Sequence, residues 1–209
     1  SMVLHDIRNP VSVIRSYGEM ILLNLENDER IKKYASSILK ETERLNLLLG
    51  ELLDYSRGEI RLNLSIVELN QFFEKLKSYI ATSLEGSHIE LCIENQVTDP
   101  VLMDEERMLR VFINLTDNSR KAMSRGGTLR ITTRQTDTHV GFLVEDTGQG
   151  MTKEVLANIF TPFYSFTKGG TGLGLVIAKN IVEAHEGTIH VESRLKKGTR
   201  VEIILPRRI

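Results

Sequence analysis

The chain has 209 residues, of which 41% are hydrophobic and 26% are charged, a composition that is typical of a folded globular protein and excludes a mostly disordered one. Lysine and arginine number 27 against 28 aspartate and glutamate residues, so the formal net charge is −1. Because no overall positive field attracts nucleic acid or anionic lipid, we expect no nucleic-acid partner and only local groups for binding phosphate.

The N-terminal region is predicted to form two amphipathic helices. Apolar residues recur in it at alternating spacings of three and four, first from Leu4 to Leu25 and then from Ile31 to Leu52. A short connection between two such helices makes an antiparallel hairpin. Further leucines remain uncovered, so we expect two hairpins to pair as a four-helix homodimer. The alternative is a hairpin packed onto its own C-terminal region.

After Arg57-Gly58-Glu59 the pattern changes to mixed strands and helices, and we place a domain boundary there, giving domains 1–58 and 59–209. Helices are predicted at residues 67–84, 104–123 and 171–184. Strands are predicted at residues 62–66, 89–93, 127–133, 140–145, 188–193 and 200–205. Because hairpins replace regular βαβ repeats, we expect an α+β sandwich, with one mixed sheet and helices on one face.

No apolar run approaches the roughly 18 residues that span a membrane, so we expect no membrane contact within this stretch and a cytoplasmic location for it. Ser1 before Met2 is not a natural start. We therefore expect this chain to be a fragment of a longer protein, and a membrane anchor in that full-length protein is compatible with the sequence.

Six glycines within 27 residues belong to two motifs. In the first, EDTGQGM after a predicted strand, Asp146 can accept a hydrogen bond from the amino group of adenine. Gly148 and Gly150 are expected to let the backbone approach a flat ring. The second, TKGGTGLGL, leads into a helix whose first amides can bind phosphate. Each motif alone is equally well interpreted as a turn or a flexible linker.

A polar face on the predicted helix 104–123 supports a nucleotide site. Asn114, Asn118 and Lys121 are four and three residues apart, so they share one side of the helix. An asparagine oxygen can complete the shell of a Mg²⁺ ion shared with phosphate oxygens, and Lys121 adds positive charge. Asparagine on a helix usually faces solvent, but two on one face of an otherwise apolar helix favour a binding site.

The order of these motifs resembles that of bacterial sensor histidine kinases. The segment around Asn118 is similar to their N box, DTGQG and TGLGL to their glycine boxes, and Phe160-Thr161-Pro162-Phe163 to their F box. This family shares its ATPase fold with gyrase, the Hsp-type chaperones and the MutL proteins. The resemblance implies an ATP-binding sandwich with a mobile lid, here residues 152–170.

The resemblance also implies roles for individual residues. Asp146 would bind adenine and Asn118 would bind Mg²⁺, with Asn114, Gly148 and Gly150 beside the nucleotide. The groups near the phosphates would be Lys121, Lys168, Thr171, Gly172, Leu173 and Gly174. One departure is Ser119, where the N box usually has alanine.

The segment LHDIRNP near the N-terminus resembles the H box of the same family. His5 flanks the apolar seam of the first helix, and a neutral imidazole nitrogen is a competent nucleophile toward a γ-phosphoryl group. Asp6 can hydrogen-bond the other ring nitrogen and fix the tautomer. By resemblance, Asp6 and Asn9 also match the pattern associated with dephosphorylation of a partner protein, in which Asn9 orients a water.

The choice of reaction depends on Asn114. Hydrolysing members of the superfamily usually have a glutamate there that activates water, whereas an asparagine cannot act as a base, so we expect His5 to accept the phosphoryl group. The resemblance then implies transfer to an aspartate of a response-regulator receiver domain, and protein inhibitors of the hairpin are further candidate partners. The HDIRNP and lid segments also resemble those of sporulation-type kinases.

Two other functions remain open from the sequence. One is a docking module or phosphatase that retains ATP recognition, and the other is an ATPase with an accessory hairpin. The remaining histidines, His88, His139, His185 and His190, lack metal-ligand spacing. His185 ends a predicted helix, where the helix dipole favours a histidine, and we expect all four histidines to be structural or solvated.

Overall fold

The computed structural model describes residues 2–23, 29–39, 42, 60–165 and 171–208. The chain divides into two compact units, Ser1–Gly58 and Glu59–Ile209. In the first unit, helix α1 is Met2–Leu23 and helix α2 is described over residues 29–39. The rings of Tyr17 and Tyr34 stack with their centroids 5.7 Å apart, so the two helices lie side by side. The predicted connection and the C-terminal part of the second helix lie outside the described residues.

The second unit contains a five-stranded mixed sheet. Its strands are β2 (Ile89–Glu94), β4 (Gly127–Gln135), β5 (His139–Asp146), β6 (Thr188–Arg194) and β7 (Gly198–Pro206), in the spatial order β2-β4-β5-β7-β6. The β2–β4 pair is parallel and the other three pairs are antiparallel. Two short strands, β1 (Ser65–Val67) and β3 (Val101–Met103), form a separate antiparallel pair.

The helices of this unit are α3 (Leu69–Leu84), α4 (Glu105–Ala122), α5 (Lys153–Asn158) and α6 (Gly174–Ala184). The fully buried rings of Phe72 on α3, Phe112 on α4 and Phe142 on β5 follow one another with centroids 5.5 Å apart. Helices and sheet therefore share one core, which confirms the predicted sandwich with a mixed sheet. None of the described helices has both the length and the apolarity to cross a membrane.

Several predicted boundaries were wrong. The first strand is Ser65–Val67 rather than residues 62–66, and α6 begins at Gly174, three residues later than expected. The second, two-stranded sheet and helix α5 were not predicted. A three-residue strand is too short to show a clear alternation of apolar and polar residues. Its pairing partner also lies more than thirty residues away along the chain, so local sequence does not reveal the pair.

Candidate functional site

Helix α4 carries the predicted polar face, and Asp104 fixes where this helix begins. One oxygen of the Asp104 carboxylate accepts a hydrogen bond from the backbone N–H of Arg107 at 3.0 Å, which is the N-cap arrangement. The other oxygen accepts from the backbone N–H of Asn63 at 2.8 Å. Asp104 is itself buried, so these bonds set both the start of α4 and the path of the chain before β1.

The end of α6 is joined to the start of α4 through His185. Its Nε2 accepts a hydrogen bond from the backbone N–H of Asp104 at 2.9 Å, so Nδ1 carries the proton and donates to the carbonyl of Ile181 at 2.8 Å. The residue is 3% exposed, and burial lowers the pKa of the imidazole below its ordinary value. The helix dipole favours a charged histidine at this end, whereas the buried ring is neutral and holds the start of α4.

The other end of α6 meets the polar face of α4. The side-chain amide of Asn114 donates to the carbonyl of Gly174, the first residue of α6, at 3.2 Å. Asn114 is half-buried, while Asn118, one turn further along α4, is exposed. The structure thus brings one predicted polar residue against the second glycine motif and leaves the other open.

Asp146 ends strand β5 and accepts three hydrogen bonds. Its Oδ1 accepts from the backbone N–H of Gly148 at 2.8 Å and from that of Thr199 at 3.3 Å. Its Oδ2 accepts from the hydroxyl of Ser119 at 3.3 Å. Burial raises the pKa of Asp146 above its ordinary value, and the three donors, which favour the ionised form, oppose that rise.

Ser119 is one of the site residues that sequence reasoning missed. It was noted only as a departure from the alanine of the N box, whereas its side chain is 6% exposed and links α4 to the end of β5. The sequence did indicate that Ser119 needs a hydrogen-bond partner, because a hydroxyl on the buried side of a helix is rarely left unpaired. It did not indicate that this partner is Asp146, because their contact depends on the tertiary fold.

The glycines of the first motif are required by the protein's own packing. A Cβ at Gly148 would lie 2.8 Å from the Cβ of Ala122 at the end of α4. Gly150 has a φ of +62°, and a Cβ there would collide with the carbonyl of Arg194. The predicted reason, close approach to a flat ring, is therefore not needed to explain either glycine.

The second motif packs on the F box before it enters α6. Gly172 has a φ of +70°, its carbonyl accepts from the N–H of Phe163 at 3.2 Å, and a Cβ there would lie 2.6 Å from the nitrogen of Tyr164. Thr171 accepts through its hydroxyl from the N–H of Leu173 at 3.2 Å. Lys168 lies outside the described residues.

Lys121 has a carboxylate partner on its own helix. Its Nζ lies 2.6 Å from one oxygen of Asp117, and Arg120 lies 2.7 Å from the other. Burial raises the pKa of Asp117, but the hydrogen bonds and charges of Lys121 and Arg120 outweigh it and hold that pKa below its ordinary value. A phosphate group that recruits Lys121 must therefore compete with Asp117.

The predicted phosphoacceptor segment lies in α1. His5, Asp6 and Asn9 all fall within the helix Met2–Leu23, but their side chains are outside what the structure describes. Across the described part of the chain, no cluster of three or more His, Cys, Asp or Glu side chains is arranged to hold a metal ion. The exposed side chain of Asn118 carries an amide oxygen, which is a type of ligand that Mg²⁺ accepts.

Two protein families match the chain. The HATPase_c family, described as histidine kinase-, DNA gyrase B- and HSP90-like ATPase, matches residues 103–209. The HisKA family, described as the His Kinase A (phospho-acceptor) domain, matches residues 1–61. Sporulation kinase C of Bacillus subtilis (strain 168) is 32% identical over 206 residues, which are 98% of this chain and 47% of that protein. The expected likeness to sporulation kinases is confirmed, and the chain spans about half the length of this relative.

Two solved structures of histidine kinases match almost the whole chain. The histidine kinase AdeS of Acinetobacter baumannii aligns with a TM-score of 0.82 at 24% identity, covering 98% of each chain. The histidine kinase ThkA, solved in complex with the response regulator protein TrrA, aligns with a TM-score of 0.81 at 29% identity. That alignment covers 99% of this chain and 60% of the other. The order of a helical region followed by a sandwich domain is thereby confirmed.

Proposed function

This chain belongs to the sensor histidine kinase family, and from that premise we propose that it transfers the γ-phosphoryl group of Mg-ATP to His5 and then to an aspartate of a receiver domain. Family membership alone does not assign the activity, the substrate, the partners or the roles of individual residues of this chain, and we propose all four.

The observation that carries the proposal is the pair of side-chain bridges between distant motifs. Asn114 on α4 bonds to Gly174 at the start of α6, and Ser119 on α4 bonds to Asp146 at the end of β5. Three segments that lie 27 to 60 residues apart thus converge along one helix. This convergence supports a single nucleotide site rather than separate turns and linkers.

Within this site the residue types fit the parts of ATP. Asp146 accepts from the adenine amino group, and the amides from Thr171 to Gly174 lie where the helix α6 begins, a position that favours phosphate. Lys121 and Lys168 add positive charge, and Asn118 supplies an oxygen to Mg²⁺. Bound Mg-ATP supplies the γ-phosphoryl group and the metal charge that stabilises its transfer.

His5 acts as the nucleophile. A nitrogen of the neutral imidazole forms a P–N bond as the bond from the γ-phosphorus to the β–γ bridging oxygen breaks, and ADP leaves with that oxygen. Asp6 holds the other ring nitrogen and stabilises the positive charge that develops on the ring. Asn114 offers no base to activate water, so phosphoryl transfer to His5 is favoured over hydrolysis.

The partners follow from the same premise. Two helical hairpins pair as a homodimer, and the exposed apolar side chains of α1 and α2, including Leu23 at 82% and Leu39 at 65% exposure, support such pairing. The receiver domain of a response regulator takes the phosphoryl group, since the similar kinase ThkA was solved with response regulator protein TrrA. Asn9 orients a water for the opposing activity, hydrolysis of the receiver's phosphoaspartate, which releases inorganic phosphate and the free aspartate.

The test is phosphorylation of the full chain with ATP labelled on its γ-phosphate. We expect an acid-labile, base-stable label that depends on Mg²⁺, disappears in His5→Gln and persists in His139→Gln, which alters an exposed histidine. Asn118→Asp should abolish the label because it places a negative charge beside the phosphates. Asn70→Asp, at an exposed position of α3, is its matched control.

Other outcomes favour the alternatives. If the protein binds ATP but acquires no label, the alternative function as a docking module or phosphatase is favoured. Sustained phosphate release that is unaffected by His5→Gln would identify an ATPase. The homodimer is measured separately by light scattering, which should give twice the mass of one chain.

A further inference from the structure

Ser119 is placed unusually for a serine within a helix. Such hydroxyls commonly bond to a carbonyl of their own helix four residues back. The Ser119 hydroxyl instead donates across to Oδ2 of Asp146 at 3.3 Å, although the side chain is 6% exposed. The partner is thus on another element, and the bond links α4 to the end of β5.

The donors to Asp146 divide by type. The two bonds to Oδ1 come from backbone N–H groups of Gly148 and Thr199, which substitution leaves in place. Among the described residues, the only side-chain donor is Ser119, and it acts on the other oxygen. A carboxylate offers about four acceptor positions, so Oδ2 keeps one for a ligand donor.

We propose that Ser119 is a positioning residue that orients Oδ2 of Asp146 as a hydrogen-bond acceptor and thereby sets the preference of the site for adenine over guanine. This inference rests on the proposed function, in which Asp146 meets the base. Adenine presents an amino group to that oxygen. Guanine in the same pose presents its O6, and two acceptors repel each other.

Loss of the hydroxyl should change this preference in a defined direction. The Ser119 bond favours the ionised form of Asp146, against the burial that raises its pKa. Without the bond, the carboxylate is held through Oδ1 alone, so Oδ2 is less firmly oriented and the carboxyl group takes up a proton more readily. A protonated Asp146 can donate to the O6 of guanine, so Ser119→Ala should weaken ATP binding more than GTP binding, and more so at lower pH.

Other charged groups surround Asp146. A cavity of about 320 Å³ is lined by Asp146 together with ionisable side chains of neighbouring strands and their connections. These are Glu145, Glu192, Arg194, Lys197 and Arg200. Ser119→Ala and its control Thr116→Val keep all five of these groups. A difference between the variants in how the ATP-over-GTP affinity ratio depends on pH therefore reports on Asp146.

The experiment measures the dissociation constants of ATP and GTP for the full chain by calorimetry, from about pH 8 down to about pH 5, toward the range in which carboxyl groups take up protons. We expect Ser119→Ala to lower the ATP-over-GTP affinity ratio about fivefold near neutral pH, the size of one ordinary hydrogen bond. The ratio should fall further toward the acidic end, while the wild-type ratio changes less.

Thr116→Val is the matched control. Thr116 is on the same helix, is 1% exposed, and has the one buried side-chain polar atom without a partner among the described residues. Removing that hydroxyl should leave both affinities unchanged. In an Asp146→Asn background, Ser119→Ala should no longer alter the ratio, because its effect passes through the carboxylate.

Two results would overturn the inference while leaving the proposed function intact. These are an equal loss of ATP and GTP affinity in Ser119→Ala, or no change in either, from a chain whose wild type binds ATP and labels His5. A wild type that binds no ATP would overturn the proposed function and this inference with it. The thermal unfolding midpoint of Ser119→Ala, expected near that of Thr116→Val, excludes general misfolding as the cause.

Discussion

Helices α4 and α6 run antiparallel and meet at two places with contrasting chemistry. At one end, the start of α4 and the end of α6 are joined by the buried pair Asp104 and His185, 6% and 3% exposed. At the other end, the half-buried Asn114 bonds to Gly174. The first end is closed to solvent, and the second is the part of the candidate nucleotide site where α6 begins.

The two ends differ in whether their polar groups are fully used. His185 has one ring nitrogen that donates and one that accepts, so nothing remains for a ligand. Asn114 uses one of its amide hydrogens on Gly174, and among the described residues its side-chain oxygen has no hydrogen-bond partner. The polar contact is therefore structural at the closed end, and at the open end it leaves an oxygen that the proposed nucleotide site can use.

The largest effect is expected from His185→Ala. It removes the acceptor of the buried Asp104 N–H and leaves a cavity, so the free energy of unfolding should fall by about 2–4 kcal/mol. Chemical denaturation measures this change. ATP affinity under native conditions should stay within about twofold of the wild type, because no ligand group is removed. A loss of ATP affinity without a loss of stability would remove the distinction between the two ends.

A smaller effect of the same residue should appear as pH dependence. Burial lowers the pKa of His185, so below its ordinary value near 6.5 the unfolded chain binds this proton more readily than the folded chain. The His185 contribution to stability is therefore present above about pH 6.5 and is lost as the pH falls. Thermal unfolding from about pH 8 to about pH 5 should show the loss, and His185→Gln should reduce its slope. In the exposed His190→Gln variant the slope should persist.

The contrast between the ends also explains which features the sequence could predict. The polar face of α4 was recognisable because residues three and four apart share a side of any helix. The bridge from Asp104 to His185 spans 81 residues, and nothing in local periodicity indicates that these two meet. The sequence analysis consequently related His185 to the dipole of its own helix, whereas its buried partner is the N-cap residue of α4.

The same reasoning separates the predicted and missed parts of the site. Asp146 and the glycine motifs were found from their order along the chain, which needs no tertiary contact. Ser119 and Asp117 were missed as site residues because their importance depends on which groups they reach, Asp146 in one case and Lys121 in the other. The start of α6 was placed too early because threonine and glycine before Gly174 pack on the F box instead of entering the helix.

Asn114→Ala tests the open end. It leaves the carbonyl of Gly174 without its side-chain donor, and ATP affinity should fall about five- to tenfold, in keeping with one hydrogen bond and a less ordered start of α6. The unfolding midpoint should move little, because this half-buried position admits water in place of the amide. Asn70→Ala, which removes an exposed hydrogen bond from Asn95, should leave ATP affinity unchanged. A large drop in stability for Asn114→Ala would make the open end structural as well.

The smallest effect is expected from Gly174→Ala. An added Cβ would lie 3.6 Å from Cγ of Asn114, an ordinary contact, and the backbone N–H offered to phosphate is retained. Since alanine favours the helix over glycine, stability should change by less than about 1 kcal/mol, in the favourable direction, with ATP affinity unaltered. Gly172→Ala, two residues earlier, should be clearly worse in both measurements because of its φ of +70° and the backbone of Tyr164. If the two variants had the same stability and ATP affinity, the close packing of Gly172 on the F box would not be needed for either property. The backbone at the open end would then be less constrained than its contacts indicate.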